Sequence, residues 1–573
     1  MHTDNFGIVM QFRYYPQTWC IFWLIFLISC RQQPPADSHR VFRYNDASGV
    51  FTLDPAFAKD QSHIWVCRQL YDGLVELDSA LRVKPSIAYS WALLEDGRTY
   101  EFNLRKDVYF IDIDNYKIDI QSDSSSTRVL RKLVADDVVY SLNRLTDPAV
   151  ASPGGWVMNM VEKDSSGRLT GITALNDSVV RIRLTGSFPP FLSLLAMPYC
   201  SVVPREVVER YGKDFREHPC GTGPFMLACW KEGVKLVMHR NPHYFQRGAD
   251  GARLPRLDAV EVGFISDKQS AFIEFLKGNL DFISGLDASY KDELLTPSGD
   301  LQPRHRGRFR LEALPYLNTE YLGILLDTSL EAVRKSPLSD VRIRKALNLS
   351  FDRAGMIRYL RNSRATPGIY GFVPPGLPSF IPDSSIGYAF DPEAARRLLR
   401  QAGHPDGLGL DEIVLGTTSA YLDLCEYIKS QWEEVGFKVR IDVNQAAVHR
   451  KLVAEQKLNF FRGSWIADYP DAENYLSLFL TENAAPSGPN YTRFSDPAFD
   501  RSYRDAAATT DDSLRFAKYR EMDRMVMQAS PVIVLYYDQV IRLTGTDVHG
   551  LSPNAMNLLV LKEVWKSERT KVR

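Results

Sequence analysis

The chain has 573 residues, a formal net charge of −1, 45% hydrophobic residues and 24% charged ones. That length allows roughly two to four domains, and beyond the first residues the composition is that of an ordinary globular protein. A near-zero charge without a long basic run supplies no field for nucleic acid, which is excluded as a partner. Aromatic residues make up 12%, chiefly 27 Tyr and 30 Phe. Such rings suit a sugar or peptide cleft, though core packing is their default role.

In chain order, the first feature follows Arg13. An apolar run over residues 19–28 closes in Leu27-Ile28-Ser29-Cys30. It is too short for a bilayer core, which needs roughly 20 residues, and reads as a secretory signal. A start at Met10 gives a signal of more usual length. Leu-Ile-Ser-Cys resembles the bacterial lipobox, and the resemblance implies a lipidated Cys30 at the mature N-terminus. Residues 1–30 are then a lipoprotein signal peptide, and residues 31–40, with Pro34-Pro35, a tether. Five cysteines remain: Cys67, Cys200, Cys220, Cys229 and Cys425. Export would place them in an oxidising compartment; a disulfide among Cys200, Cys220 and Cys229 stays open, with at least one of the five unpaired. No Cys or Cys/His spacing points to zinc, and Asn241-Pro242 interrupts the pair His239 and His243.

Tyr100-Glu-Phe-Asn-Leu104 alternates as a half-buried strand. Residues 132–145 place Leu133, Val138, Leu142 and Leu145 at helical spacing, with Asp136 and Asp137 at the favoured end of the dipole. Gly221-Thr-Gly223 lacks a following Lys-Ser/Thr and meets Pro224, so a structural turn is expected rather than a phosphate loop. Arg342, Arg344 and Lys345 read as a solvated helix face with local ion pairs. Asp391-Pro392-Glu393 opens a helix that Gly403 closes. A strand from Ile413, a helix over 421–435 ended by Gly436, and an alternating strand over 437–443 form an α/β unit. Pro531-Val-Ile-Val-Leu-Tyr-Tyr537 is a continuous apolar run of the kind seen in buried strands.

A series of segments resembles one family. It runs through Leu53-Asp-Pro55, Leu70-Tyr-Asp-Gly-Leu-Val75, Lys84-Pro-Ser-Ile-Ala88 with Ser90-Trp91, and Asp96-Gly-Arg-Thr-Tyr-Glu-Phe102. It continues through Ala135-Asp-Asp-Val-Val-Tyr-Ser-Leu-Asn-Arg144, Cys220-Gly-Thr-Gly-Pro-Phe225 and Arg240-Asn-Pro-His-Tyr-Phe245. Pro337-Leu-Ser-Asp-Val-Arg-Ile-Arg-Lys-Ala-Leu347 with Phe351-Asp-Arg353 follows, then Trp465-Ile-Ala-Asp-Tyr-Pro-Asp471. In this order they resemble the family 5 extracellular solute-binding proteins, the oligopeptide- and dipeptide-binding components of ABC importers. The resemblance implies an α/β, two-lobed periplasmic-binding-protein-like fold of class II type, with an extra α/β domain on the first lobe. Lobe I would comprise 41–72, 177–317 and 530–573, the extra domain 73–176, and lobe II 318–529. Crossings near Asn318 and Ser530 would make a hinge. Two departures stand out. Residues 111–131 form a longer, acidic and Ser-rich insertion, expected as a surface hairpin. Gly154-Gly155 stand where relatives can place an aromatic ligand contact, with Trp156 next as its substitute.

A site that accepts many peptides must read an ammonium, a carboxylate and a backbone ladder. Arg462-Gly-Ser-Trp465-Ile-Ala-Asp468 offers all three in seven residues. By resemblance Asp468 would pair with the α-ammonium, Trp465 would wall the first pocket, backbone groups of Ser464 and Ile466 would extend the ladder, and Arg462 would meet a carboxylate. The structural alternatives are a helix cap for Asp468, plain core for Trp465 and an internal ion pair for Arg462. No Gly-x-Ser-x-Gly, Ser-x-x-Lys, His-Glu-x-x-His or P-loop points to an enzyme, so a lipid-anchored hydrolase is the weaker rival. Other ligands on this fold, a nickel chelate, an oligosaccharide or glutathione, form the second rival. The expectation is a monomer, anchored to the membrane at Cys30 and facing the periplasm or exterior. It would deliver peptide to permease and ATPase subunits, with no cofactor and no metal.

Overall fold

The computed structural model describes residues 40–111, 129–287 and 289–568. Cys30, the signal, residues 31–39 of the tether and 112–128 of the insertion lie outside these. The base of the insertion is an antiparallel pair, Tyr109–Ile111 against Val129–Lys132. No helix among the described residues is long and apolar enough to cross a membrane.

One large sheet runs through the molecule. Ten of its eleven strands form a continuous path: β1 (Val41–Asn45), β2 (Phe225–Lys231), β3 (Lys235–Arg240), β4 (Ala259–Gly263), β5 (Phe282–Ser284), β6 (Phe309–Ile324), β7 (Ile413–Thr418), β8 (Val439–Asn444), β9 (Phe460–Ile466) and β10 (Val532–Gly545); the two-residue strand Thr366–Pro367 pairs with β10 beside it. The spatial order is β2-β3-β4-β1-β5-β10-β6-β9-β7-β8. β6 and β10 therefore lie at the middle of the sheet and belong to both lobes. Around β1, β4 and β5 the first lobe packs Phe42, Tyr44, Trp65, Val260 and Phe282. Around β7 and β9 the second lobe has a core on each sheet face: Leu322, Leu415, Trp432 and Ile533 on one, Tyr321, Phe461, Tyr475 and Val534 on the other. Burial on both faces explains why Pro531–Tyr537 reads as an unbroken apolar run. Each such side chain contributes roughly 1.5–3 kcal/mol by leaving water.

β10 runs eight residues past the apolar run, to Gly545. The added part hides its strand character behind Asp538, Gln539 and Arg542. Arg542 is fully buried, its Nη2 donating to the Leu558 carbonyl at 2.9 Å and its Nε to Asn557 at 3.0 Å. The pairing of β6 with β10 shifts between Glu320 and Tyr321 and again, more widely, at mid-length: Pro315 faces Gln539 and Thr319 faces Tyr537, which leaves Tyr316, Leu317 and Asn318 opposite Asp538. The first expected crossing, near Asn318, falls in this bulge. The second moves from Ser530 to about Asp538, because Val532–Tyr537 still pair with the second-lobe half of β6. Ser530 instead ends the helix Asp512–Ala529 in a left-handed conformation, φ 51°.

The extra domain carries a four-stranded sheet in the order Ala88–Leu93, Thr99–Leu104, Val179–Arg183, Ile172–Asn176. A boundary at 176 would cut the hairpin whose second strand pairs with Thr99–Leu104. The helix Ala135–Arg144 has Val138 and Leu142 in the same core as Phe102, and Asp137 accepts the Val134 amide at 2.9 Å to close its first turn.

Two motif readings turn out differently from expectation. Arg344 is buried rather than solvated; its guanidinium donates to the carbonyls of Ala529 (2.7 Å), Leu338 (2.9 Å) and Ser530 (3.1 Å). Arg353, also buried, holds the Val534 carbonyl at 2.7 Å and Asn348 at 2.9 Å. Desolvation lowers both guanidinium pKa values, to about 10 and about 9. The most recognisable stretch of the sequence thus clamps the central strand and the helix before it. Cys67, Cys200, Cys229 and Cys425 are thiols outside any disulfide, all but Cys229 buried, so Cys200 is joined to neither Cys220 nor Cys229. Gly221 and Gly223 press against the Leu70 backbone, where a Cβ would come within 2.1 and 2.3 Å, as a structural turn requires.

Candidate functional site

β9 is positioned by β6 on one edge: Asn318 opposes Ile466, and Glu320 opposes Ser464. Just beyond it the Ala467 amide donates to Leu317 at 2.9 Å. Backbone groups alternate along a strand, so those of Arg462, Ser464 and Ile466 face the other edge. His449 Nε2, 2.8 Å from the Arg462 carbonyl, confirms that direction. β7 meets β9 only at Phe461. Among the described residues no strand covers the edge at Ser464 and Ile466. Gly463 belongs here for packing, since a Cβ would lie 2.8 Å from the Tyr321 ring.

Where β9 ends, one buried side chain organises the turn. Asn474 Oδ1 accepts from Trp465 Nε1 at 2.9 Å and from the Asp468 amide at 3.1 Å, while its Nδ2 donates to Asp468 Oδ2 at 3.4 Å. Sequence reasoning missed Asn474. Its signal is a buried amide beside Tyr475, Leu476, Leu478 and Phe479, where only an internal partner makes burial tolerable. The short helix Glu473–Leu476 has Ala472 at its N-cap, and just before it Asp471 Oδ1 accepts the Glu473 amide at 2.9 Å. Asp468 is not a cap. Its side chain reaches solvent, yet protein surrounds it, and this loss of water raises its carboxyl above the ordinary range against the pull of Asn474. Among the described residues it has no ion-pair partner. Trp465 is half-buried against the second-lobe core.

Trp156 reaches this end from the extra domain, on the turn Gly155–Met158. It is half-exposed, its ring 6.2 Å from that of Tyr469. The glycine before it has a steric reason: a Cβ on Gly154 would fall 2.4 Å from the Tyr199 ring. Burial raises the Tyr199 hydroxyl pKa, and the negative charges of Asp468 and Asp60 add to the shift. The structure thus brings Asp468, Trp465, Tyr469, Trp156 and Tyr199 to one end of the interlobe space.

Arg462 points elsewhere. Strand alternation puts it on the sheet face opposite Trp465. There it is paired with Glu320 and lies 3.3 Å above the Tyr421 ring. Burial raises the Glu320 carboxyl, opposed by Arg462. Nearby, Arg361 Nη2 is 3.3 Å from Asp538 Oδ1, and its guanidinium lies 5.1 Å above the Tyr536 ring. A cavity of about 340 Å³ opens here between the lobes, walled by Gln61, Lys291, Arg361, Tyr421, Asp538 and Gln539 among others. That volume falls in the range of roughly 300–1,000 Å³ typical of small-ligand sites. A smaller space of about 40 Å³, beside Asp72, Glu76 and Lys562, has room for little more than water.

A central sheet shared by two separately packed lobes and an interlobe cleft with an uncovered strand edge define a two-lobed solute-binding protein. The chain belongs to the bacterial extracellular solute-binding proteins, family 5, whose pattern matches residues 82–487. Such proteins are the substrate-binding components of ABC importers, working with permease and ATPase subunits, and the family is one of binders rather than enzymes. The glutathione-binding protein GsiB of Salmonella paratyphi A is 26% identical over 510 residues, 88% of this chain and 90% of its own. HbpA2 from Haemophilus parasuis matches with a TM-score of 0.76 at 22% identity, covering 92% of this chain and 100% of that one. The periplasmic binding protein DppA from Helicobacter pylori, in complex with the peptide STSA, matches at 0.70 and 22%, covering 92% and 98%. These structural matches establish the fold.

Proposed function

We propose that this protein captures short peptides in the interlobe cleft and delivers them to its permease. One observation carries the reading: Asp468, a carboxylate without a cationic partner, stands at the end of an uncovered strand edge and is oriented by Asn474. A peptide brings the complements, an α-ammonium for Asp468 and a backbone for the Ser464 and Ile466 edge. Trp465 and Trp156 wall the first side-chain pocket. Glutathione is a second reading, favoured by the name of the GsiB relatives; it too carries an α-ammonium and free carboxylates, so Asp468 would serve it equally. Cys30 would carry the lipid anchor that holds the monomer to the cell envelope.

Native mass spectrometry of protein purified from its cells tests the ligand. Peptide masses support the reading, glutathione selects the second, and a sugar or metal chelate overturns both. The mass of the mature N-terminus tests the anchor, which a chain retaining residues before Cys30 would refute.

A further inference from the structure

The cleft has a second end, and its charges differ in kind. Arg462, on the same strand as Ser464 and Ile466, lies 3.3 Å above the Tyr421 ring. Tyr421 in turn walls the 340 Å³ cavity. A ligand anchored at Asp468 and running along the β9 edge therefore has this cavity in reach. Three cations line it, Lys291, Arg361 and Arg364, against two anions, Asp423 and Asp538.

The cations are not equally available. Lys291 Nζ donates to Asp292 and to Asn362, both at 2.9 Å. Arg364 turns Nε and Nη2 to the Gly299 carbonyl. Arg462 is shut in by Glu320 and Tyr421, its side chain 13% exposed. Arg361 differs. Its side chain is 37% exposed, and it touches Asp538 through Nη2 alone, at 3.3 Å, where a strong charge-assisted bond is about 2.7–2.9 Å. Its planar fork can take a carboxylate through two parallel bonds, a geometry lysine lacks.

Building on the peptide reading above, we propose that Arg361 binds a carboxylate of the ligand held at Asp468, and that Glu320 excludes Arg462 from that role. The carboxylate has two sources, the peptide C-terminus or an acidic side chain.

Isothermal calorimetry with the full chain separates them, using a co-purified peptide or a short alanine peptide in three forms: free acid, C-terminal amide, and amide with one Glu. The expected wild-type result is an acid bound about tenfold to a hundredfold more tightly than its amide. Restoration by the Glu-containing amide would assign the contact to a side chain. Arg361→Gln should bring the acid-to-amide ratio close to one. Asp538→Asn, which leaves the whole fork to the ligand, should widen it, and melting curves show that both variants fold. An unchanged ratio in folded Arg361→Gln overturns the inference. Equal wild-type binding of all three forms also overturns it while leaving the peptide reading standing. Binding of no form overturns both.

Discussion

The two ends of the cleft handle charge in opposite ways. At one end Asp468 stands alone, its orientation fixed by a neutral amide, so its charge remains available to a ligand. At the other, Arg462 is sealed against Glu320, while Arg361 stays partly exposed and touches Asp538 through a single nitrogen. A buried charge left alone is costly, so the sealed pair is structural. A charge that reaches water and lacks a partner can be answered by a ligand. The difference shows that the presence of an arginine in the cleft does not make it a ligand contact. Its existing partner decides.

The largest way to break this comparison is at the sealed pair. Glu320→Gln leaves Arg462 buried against a neutral group, and stability should fall by about 3 kcal/mol in denaturant titration. A loss within error would mean that Tyr421 and water suffice to hold Arg462. Next comes the lone charge. Asp468→Asn should weaken peptide binding by about tenfold to a hundredfold with little change in stability, read by calorimetry and melting; unchanged affinity removes Asp468 from the site. Asn474→Ala should weaken binding by about fivefold, because Trp465 and Asp468 both lose the amide that sets them, and should alter Trp fluorescence. A change in stability alone would leave Asn474 purely structural.

The smallest expected effect is one of pH. Desolvation raises Glu473, behind the Asp468 turn, to about 7, and Asp523, which accepts the Phe372 and Val373 amides, also to about 7. Folded values above the unfolded ones favour the protonated form, so their contribution is present in acid and lost as pH rises through about 7. Tm should be higher near about pH 5.5 than about pH 8, and Glu473→Gln should flatten part of that slope. A Tm that rises with pH over this range would show that the ion pairs outweigh both groups.

Much of the architecture was legible in the sequence. Local signals placed the helices at Pro392–Gln401 and Leu422–Val435 and the strands at Thr99–Leu104 and Val439–Asn444, since caps, periodicity and terminal glycines act within a few residues. The Arg462-to-Asp468 segment was found through its resemblance, and its edge and turn have the described geometry. What was hidden lies at long range. Glu320 is 142 residues from Arg462, Asp538 is 177 from Arg361, and Ala529 is 185 from Arg344. Nothing near an arginine in sequence tells whether its partner is a carboxylate, a carbonyl or water. Asn474 was closer, but an amide in an apolar run shows only that a partner exists.

The passage of β6 and β10 through both lobes also bears on the order of assembly. Val532–Gly545 completes the middle of the sheet for each lobe, more than two hundred residues after Phe309–Ile324 has been made. During synthesis neither half can close its core until this late segment emerges, so the two must mature together as one cooperative unit. A chain cut before Val532 would leave two exposed sheet edges instead of one finished lobe, a ready target for proteases and for aggregation.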